Sequence, residues 1–372
     1  MRTWKDMLKA ADADILAWAA EQPWAEPMRR CGQDAEWHAE GDVWTHTGMV
    51  YNQVTRLEGY ADLTRVEQVI LLFVALLHDA GKPDTTVLDP ETGRTRSPKH
   101  SMVGAAMARE ILRALKCDLQ TREHIVNLVR YHGRPPYLLE KQEPELEVVK
   151  LSCLLSNRLL YLFALADTRG RHTKEMSRPE DTLHLWRDTA TELGCFTHMY
   201  PFANEQARFL FHRGELTSLH YTPHVDYRCT VTMMSALPGA GKDTWLARER
   251  PDLPVVSLDA VREDLDVEAT DNQGTVIQAA REQCREHLRV HRDFAFNATS
   301  ITAQLRKRWI DLFADYGARV EIIYLEPELS TILRQNKQRQ KDVPETVIRR
   351  LSEKVEIPTL AEAHAVSWIV PG

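Results

Sequence analysis

Histidine and aspartate recur in the first half of this 372-residue chain in the order His46, His78-Asp79, His100, His132 and Asp167. Adjacent His78 and Asp79 put two donor groups on one helical turn, and distant segments must bring the rest. Imidazole together with carboxylate suits Mn²⁺, Ni²⁺, Co²⁺, Fe²⁺ or Zn²⁺ rather than Mg²⁺ alone. Such ions lower the pKa of bound water and neutralise phosphate charge, which is what phosphoester hydrolysis requires. The second half holds Pro238-Gly239-Ala240-Gly241-Lys242-Asp243-Thr244 between an apolar strand and a helical run. In that setting backbone N–H groups and a helix amino terminus can surround a β-phosphate, while Lys242 reaches the β- and γ-phosphates of an NTP. The first set removes phosphate and the second transfers it from a nucleotide. One chain with both is expected to edit the ends of a phosphate-bearing substrate.

The loop departs from the usual P-loop pattern twice. Ala236 stands where a first glycine is expected, and Asp243 stands where Ser or Thr normally binds Mg²⁺, which leaves Thr244 as the next hydroxyl for that ion. A carboxylate beside a triphosphate is repulsive unless it turns away or meets the metal. Asp259 ends the run Val255–Leu258, Arg262 follows on the same helical face, and Arg334, Lys337, Arg339 and Lys341 cluster later. Phosphoryl transfer needs a base for the acceptor hydroxyl and cations on the migrating group. The structural alternatives are a helix cap for Asp259 and a solvated helix face for the basic cluster.

The elements that must carry these residues divide the chain in two. Residues 1–225 read as helical, with apolar positions at helical spacing in Val66–Leu77 and Leu151–Phe163 and a loop from Lys82 to Lys99. From 226 to 372, β-type runs at 230–234, 255–258, 294–297, 320–325 and 366–370 alternate with helical ones, the pattern of a mainly parallel sheet covered on both faces. The expected fold is therefore an all-α domain followed by an α/β domain. Six scattered cysteines without a Cys-x-x-Cys pair make a zinc ribbon or disulfide framework unexpected. A start with early acidic residues and the lack of an apolar run near 20 residues lead to the expectation of a cytoplasmic protein without a membrane partner. A net charge of −7 argues against non-specific coating of nucleic acid but allows an enzyme that grips one strand end.

Residues 228–370 resemble the polynucleotide 5′-kinase branch of P-loop phosphotransferases, and Gly-Lys-Asp-Thr is also similar to the Gly-Lys-Gly-Thr of adenylate kinases. That resemblance implies Asp259 as general base, Arg262 on the acceptor's phosphate, and Arg334 or Arg339 as lid arginine. Asn297, at the edge of the third strand, is expected to touch substrate. The first half resembles the HD phosphohydrolase superfamily through His46, His78, Asp79 and Asp167. The segments Leu76–Lys82 and Pro98–Ser101 are similar to the HD domain of bacterial tRNA nucleotidyltransferases, which acts on 2′,3′-cyclic and 2′-phosphates. By that likeness His100 and His132 are extra ligands of a two-metal site, and Lys82 lies near the scissile phosphate. The whole chain resembles the bacterial HD-Pnk RNA-repair family. The implied function is the healing of RNA, or DNA, ends that carry a 5′-OH and a 2′,3′-cyclic phosphate. It would use Mg²⁺ with ATP or GTP and act beside a separate RNA ligase. A nucleotide-metabolism enzyme and a nucleotide sensor are the alternatives.

Overall fold

The computed structural model describes residues 2–34, 36, 38–172, 180–268, 271–338 and 342–371. The chain divides into two compact units, Met1–Pro201 and Phe202–Gly372. The division lies earlier than the 225/226 boundary read from patterning, because the helix Glu205–Arg213 packs on the second unit. Its Phe209 enters that unit's core, Arg208 donates to the carbonyls of Leu360 and His364, and Arg319 pairs with Glu205 at 2.7 Å.

The first unit is helical apart from a two-residue antiparallel ribbon, Val87–Leu88 against Thr95–Arg96, within the stretch expected as loop. The helix Arg65–Leu77 opens on a reciprocal cap between Thr64 and Glu67. Every residue from Val69 to Leu77 is buried, so this helix is surrounded rather than laid on a surface. It delivers His78 and Asp79 at its carboxyl end. The helix His100–Ala114 follows Lys99, which takes the left-handed conformation (φ 61). The apolar series Leu151–Phe163 is broken into Pro144–Ser152 and Asn157–Arg169, bent by 112°. The cause is Ser156, whose hydroxyl accepts the N–H of Leu159 and starts a new helix there. Among the described residues no single helix is long and apolar enough to cross a membrane.

The second unit is an α/β domain built on five parallel strands: β1 Cys229–Ser235, β2 Val255–Ser257, β3 Phe294–Asn297, β4 Ala318–Leu325 and β5 Ala365–Ile369. Their spatial order is β2-β3-β1-β4-β5. Alternate residues serve opposite faces. Val231, Met233, Phe294, Phe296, Val320 and Ile322 join Trp309 and Phe313 on one side. Met234, Ala295, Ile323 and Leu325 join Trp245, Leu246 and Ile332 on the other. The chain leaves central β1 for β2 and β3 on one side, then β4 and β5 on the other. A crevice at the carboxyl end of β1 is the consequence, and ligands of open α/β sheets bind there.

Candidate functional site

The histidines and aspartates expected to act together converge in the first unit. His46 comes from the helix Val43–Val54, His78 and Asp79 follow Arg65–Leu77, and His100 opens its helix. His132 ends Leu119–Tyr131, and Asp167 lies in Asn157–Arg169. His46 Nε2 is 3.1 Å from Asp167 Oδ1 and 3.4 Å from His78 Nε2. His100 Nε2 is 3.5 Å from both His132 Nε2 and Asp79 Oδ1. Asp79 Oδ2 faces the other way, 3.2 Å from His78 Nε2 and 3.8 Å from His46 Nε2. Two donor groups result, His46–His78–Asp167 and Asp79–His100–His132. Asp79 extends one oxygen toward each.

The tautomers follow from the outer contacts. Nδ1 of His78, His100 and His132 lies 2.9, 2.8 and 2.8 Å from the carbonyls of Ala75, Ser97 and Val129. A carbonyl only accepts, so each Nδ1 carries the proton, and a neutral ring so held turns the lone pair of Nε2 inward. Facing lone pairs on His100 and His132 repel each other, and an ion between them removes that repulsion. Burial pushes His132 down to about 3, keeping it in the neutral, ligating form. Burial alone would raise Asp79, but its contacts with His78 and with the Lys82 ammonium hold it well below the usual carboxylate range. Asp167 is likewise raised by burial and then held well down by Arg171 and His46. Four neutral-capable imidazoles with two ionised carboxylates fit divalent transition metals.

Lys82 borders this set, its Nζ 2.8 Å from Asp79 Oδ2 and hydrogen-bonded to Gln33 Oε1 at 2.5 Å. Three neighbours escaped the sequence reading. Arg171 donates two hydrogen bonds to Asp167, and its i+4 spacing from Asp167 is a signal that could have found it. Glu40 Oε1 lies 2.8 Å from His38 Nδ1 and 2.9 Å from His46 Nδ1, the second a poorly aligned contact. His38 reads in sequence as a structural or surface residue, and it is buried edge-on against His46 with ring centroids 4.7 Å apart. No periodic pattern marks Glu40 or His38.

In the second unit the loop after β1 turns into the helix Lys242–Glu249. Gly241 (φ 87) starts that helix, and Gly239 (φ 80) sits so close to the helix Leu329–Asn336 that a Cβ would lie 3.0 Å from the Ile332 carbonyl. Glycine meets both demands. Ala236, in place of the expected glycine, is fully buried in the core beside Met234, as is Ala240. Lys242 Nζ rests on the carbonyls of Ala236 and Leu237 at 3.5 and 3.2 Å. Asp243 Oδ1 accepts from Asn297 Nδ2 at 2.6 Å, so Asn297 engages the loop helix itself. Thr244 is exposed on the same turn, and Pro238 is half-buried. Asp243, rather than Thr244, is the side chain brought to the end of β3.

Asp259 lies in the first turn of the helix Leu258–Asp264 and pairs with Arg262, which also donates to Gln273 Oε1 at 2.7 Å. The cap of that helix is Ser257, which accepts from Ala260, so capping does not account for Asp259. Ser257 is level with Asn297 in the sheet, and this places Asp259 at the same carboxyl edge as the loop. Arg334 is exposed on Leu329–Asn336, 3.5 Å from Thr331 Oγ1. Arg339 and Lys341 lie outside the described residues. Asn336, buried at the end of that helix, bonds both the N–H and the carbonyl of Val343.

Comparison with known proteins agrees with this division. Residues 43–158 match the family described as HD domain, and residues 231–358 the family described as AAA domain. Over 58 residues the chain is 47% identical to the CC-adding tRNA nucleotidyltransferase of Thermus thermophilus, covering 16% of this chain and 13% of that protein. Over 91 residues it is 35% identical to the A-adding tRNA nucleotidyltransferase of Deinococcus radiodurans, covering 24% and 20%. The chain thus spans a fifth or less of the length of these relatives. A gluconokinase structure from Sinorhizobium meliloti shares 15% identity at a TM-score of 0.30, covering 39% of this chain and 84% of that one. The chain joins a helical domain of the HD type to an α/β domain that carries a P-loop.

Proposed function

We propose that the chain heals RNA ends. Its HD half opens or removes a 2′,3′-cyclic, 2′- or 3′-phosphate, and its P-loop half phosphorylates a polynucleotide 5′-OH from ATP or GTP. The observation that carries this reading is one chain with a six-residue metal-type donor set and a nucleotide loop beside an open Asp259–Arg262 pair. The Asp259 side chain is 72% exposed, at the rim of its domain. Sites for small molecules enclose them, whereas a base at the rim suits the end of a polymer. The matched relatives are named for acting on tRNA, which favours RNA over DNA.

In the HD half His46, His78 and Asp167 would hold one ion and Asp79, His100 and His132 a second. Bound there, such ions activate water and neutralise phosphate charge. Glu40 and the three carbonyls orient the rings, while Lys82 and Arg171 supply cations beside the two carboxylates. In the kinase half the backbone N–H groups of the loop and Lys242 hold the NTP phosphates. The 5′ oxygen attacks the γ-phosphorus, its proton passes to Asp259, and the bond to the β–γ bridging oxygen breaks, releasing NDP. Arg262 holds the acceptor's phosphate, and Arg334 or Arg339 steadies the phosphoryl group. Mg²⁺ accompanies the NTP. The products, a 5′-phosphate and a healed opposite end, are what a separate RNA ligase consumes, and a cytoplasmic setting suits these substrates.

The test is transfer of γ-labelled phosphate to a 5′-OH oligoribonucleotide by the wild type and Asp259→Ala, beside hydrolysis of a 2′,3′-cyclic end by Asp79→Ala. Labelled oligonucleotide lost in the first variant, and an intact cyclic end in the second, are expected. Label on a nucleoside or NMP instead would overturn end healing in favour of nucleotide metabolism, and no transfer at all would point to a sensor.

A further inference from the structure

We infer that Asp243, oriented by Asn297, binds the nucleotide's divalent cation directly, in place of the hydroxyl that usually follows a P-loop lysine. The inference rests on the reading of the Lys242 loop as a nucleotide site. An anionic side chain in a helix's first turn is favoured by the backbone dipole while the site holds no other anion. An arriving triphosphate reverses that balance, because several negative charges then share one small volume. The carboxylate is tolerated there only if it turns aside or a cation lies between.

Asp243 does not turn aside. The amide of Asn297 fixes it at 2.6 Å, and Asn297 is the last residue of β3, only 5% exposed, beside the strand that feeds the loop. The carboxylate is therefore held over the crevice at the sheet's carboxyl end. One of its oxygens takes the amide N–H, which leaves the other for a ligand.

A second observation points the same way. Asn297 Oδ1 is buried and has no hydrogen-bond partner among the described residues. Buried amide oxygens are ordinarily paired, and this one lies next to a carboxylate, so what completes the pair must bring positive charge and a donor. A hydrated Mg²⁺ brings both: it favours oxygen ligands and retains several waters. Asp243 ligates the cation, and a water that the cation carries donates to Asn297 Oδ1. Asp243 and Thr244 are both exposed, but Asn297 orients Asp243, and it is Asp243 that takes the ligand's place.

The consequence separates this site from one built on serine or threonine. A neutral hydroxyl adds to metal binding without opposing the nucleotide, whereas Asp243 opposes the nucleotide whenever metal is absent. The experiment measures the Kd of the non-hydrolysable analogue AMP-PNP on the full chain, in Mg²⁺ and in EDTA, for the wild type, Asp243→Asn, Asp243→Ser and Asn297→Ala. Chelation strips the HD half equally in all four, so the comparison among them reports on the kinase half. In Asp243→Asn affinity should rise about tenfold in EDTA and fall about tenfold in Mg²⁺, the scale of a single charge–charge interaction screened nearly as in water. Asp243→Ser should recover most of the Mg²⁺ affinity through its hydroxyl and keep the improved metal-free affinity. Asn297→Ala, with the carboxylate retained, should weaken binding in Mg²⁺ alone.

Equal losses in both conditions, or no change in either, would overturn the inference and leave Asp243 a structural partner of Asn297. If Asp243→Asn melts early, the serine and Asn297 variants decide the matter alone. Crossing affinities without any phosphorylation of an oligonucleotide would sink end healing while this inference stands. No binding of AMP-PNP by the wild type would overturn both.

Discussion

Four imidazoles anchored from behind and open in front make the metal argument at the scale of single residues. Three Nδ1 protons are committed to carbonyls and the fourth ring backs onto Glu40, so the inward-facing nitrogens are left for an ion. Glu40 touches no reacting atom; it orients His46 and His38. Glu40→Gln, which keeps the shape and removes the charge, should weaken Mn²⁺ affinity at the HD site by about 10- to 100-fold. Equilibrium Mn²⁺ binding followed by electron paramagnetic resonance reads this directly, and an unchanged isotherm would confine Glu40 to folding. The six ligand candidates could be picked out from residue type and order alone. Arg171 carries only the signal of its i+4 spacing from Asp167, and Glu40 and His38 carry none, because each acquires its role from the ring it meets across a turn that has no periodic pattern.

Elements meet here through histidines that must stay neutral. His124 Nε2 accepts the N–H of Ser156, the residue that starts the helix bearing Asp167. Burial lowers His124 to about 4. In the second unit His364 stacks on Phe209 with ring centroids 4.0 Å apart, accepts from Val320 and bonds Gln206. Burial, reinforced by Arg319 and Arg208, lowers it to about 4 as well. The unfolded chain takes up these protons near pH 6.5 and the folded one does not, so stability is full above about 6.5 and falls as pH drops toward 4. At pH 5 each unit should lose roughly 2 kcal/mol by this route. Urea unfolding at pH 7.5 and 5.0 should show that difference, and His124→Gln or His364→Gln should flatten it for the unit concerned. A pH dependence identical to the wild type in both variants would assign acid sensitivity elsewhere. Neither linkage shows in the sequence, where each residue is a lone histidine with no motif around it.

The whole molecule has two cores, one helical and one built on a parallel sheet, each with its own chemistry. Asp79→Ala should abolish phosphohydrolysis while kinase activity stays within about twofold, and Lys242→Ala should do the reverse, as sites built within separate units behave additively when they share no partner. Joint loss from either substitution, with both variants folded by circular dichroism, would show that the two sites depend on each other. The chain's sequence by itself determined the two fold classes, because helical and strand periodicities differ and need no partner to be read. It also determined which residue types could ligate metal or cradle phosphate. The tertiary structure alone decided where the units part, since the amphipathic helix Glu205–Arg213 reads the same against either core. It alone decided the meaning of Asp243, too. A carboxylate after the P-loop lysine looks like a defect in one dimension, and only the amide of Asn297, 54 residues away in the chain and 2.6 Å away in space, turns it into an oriented oxygen ligand.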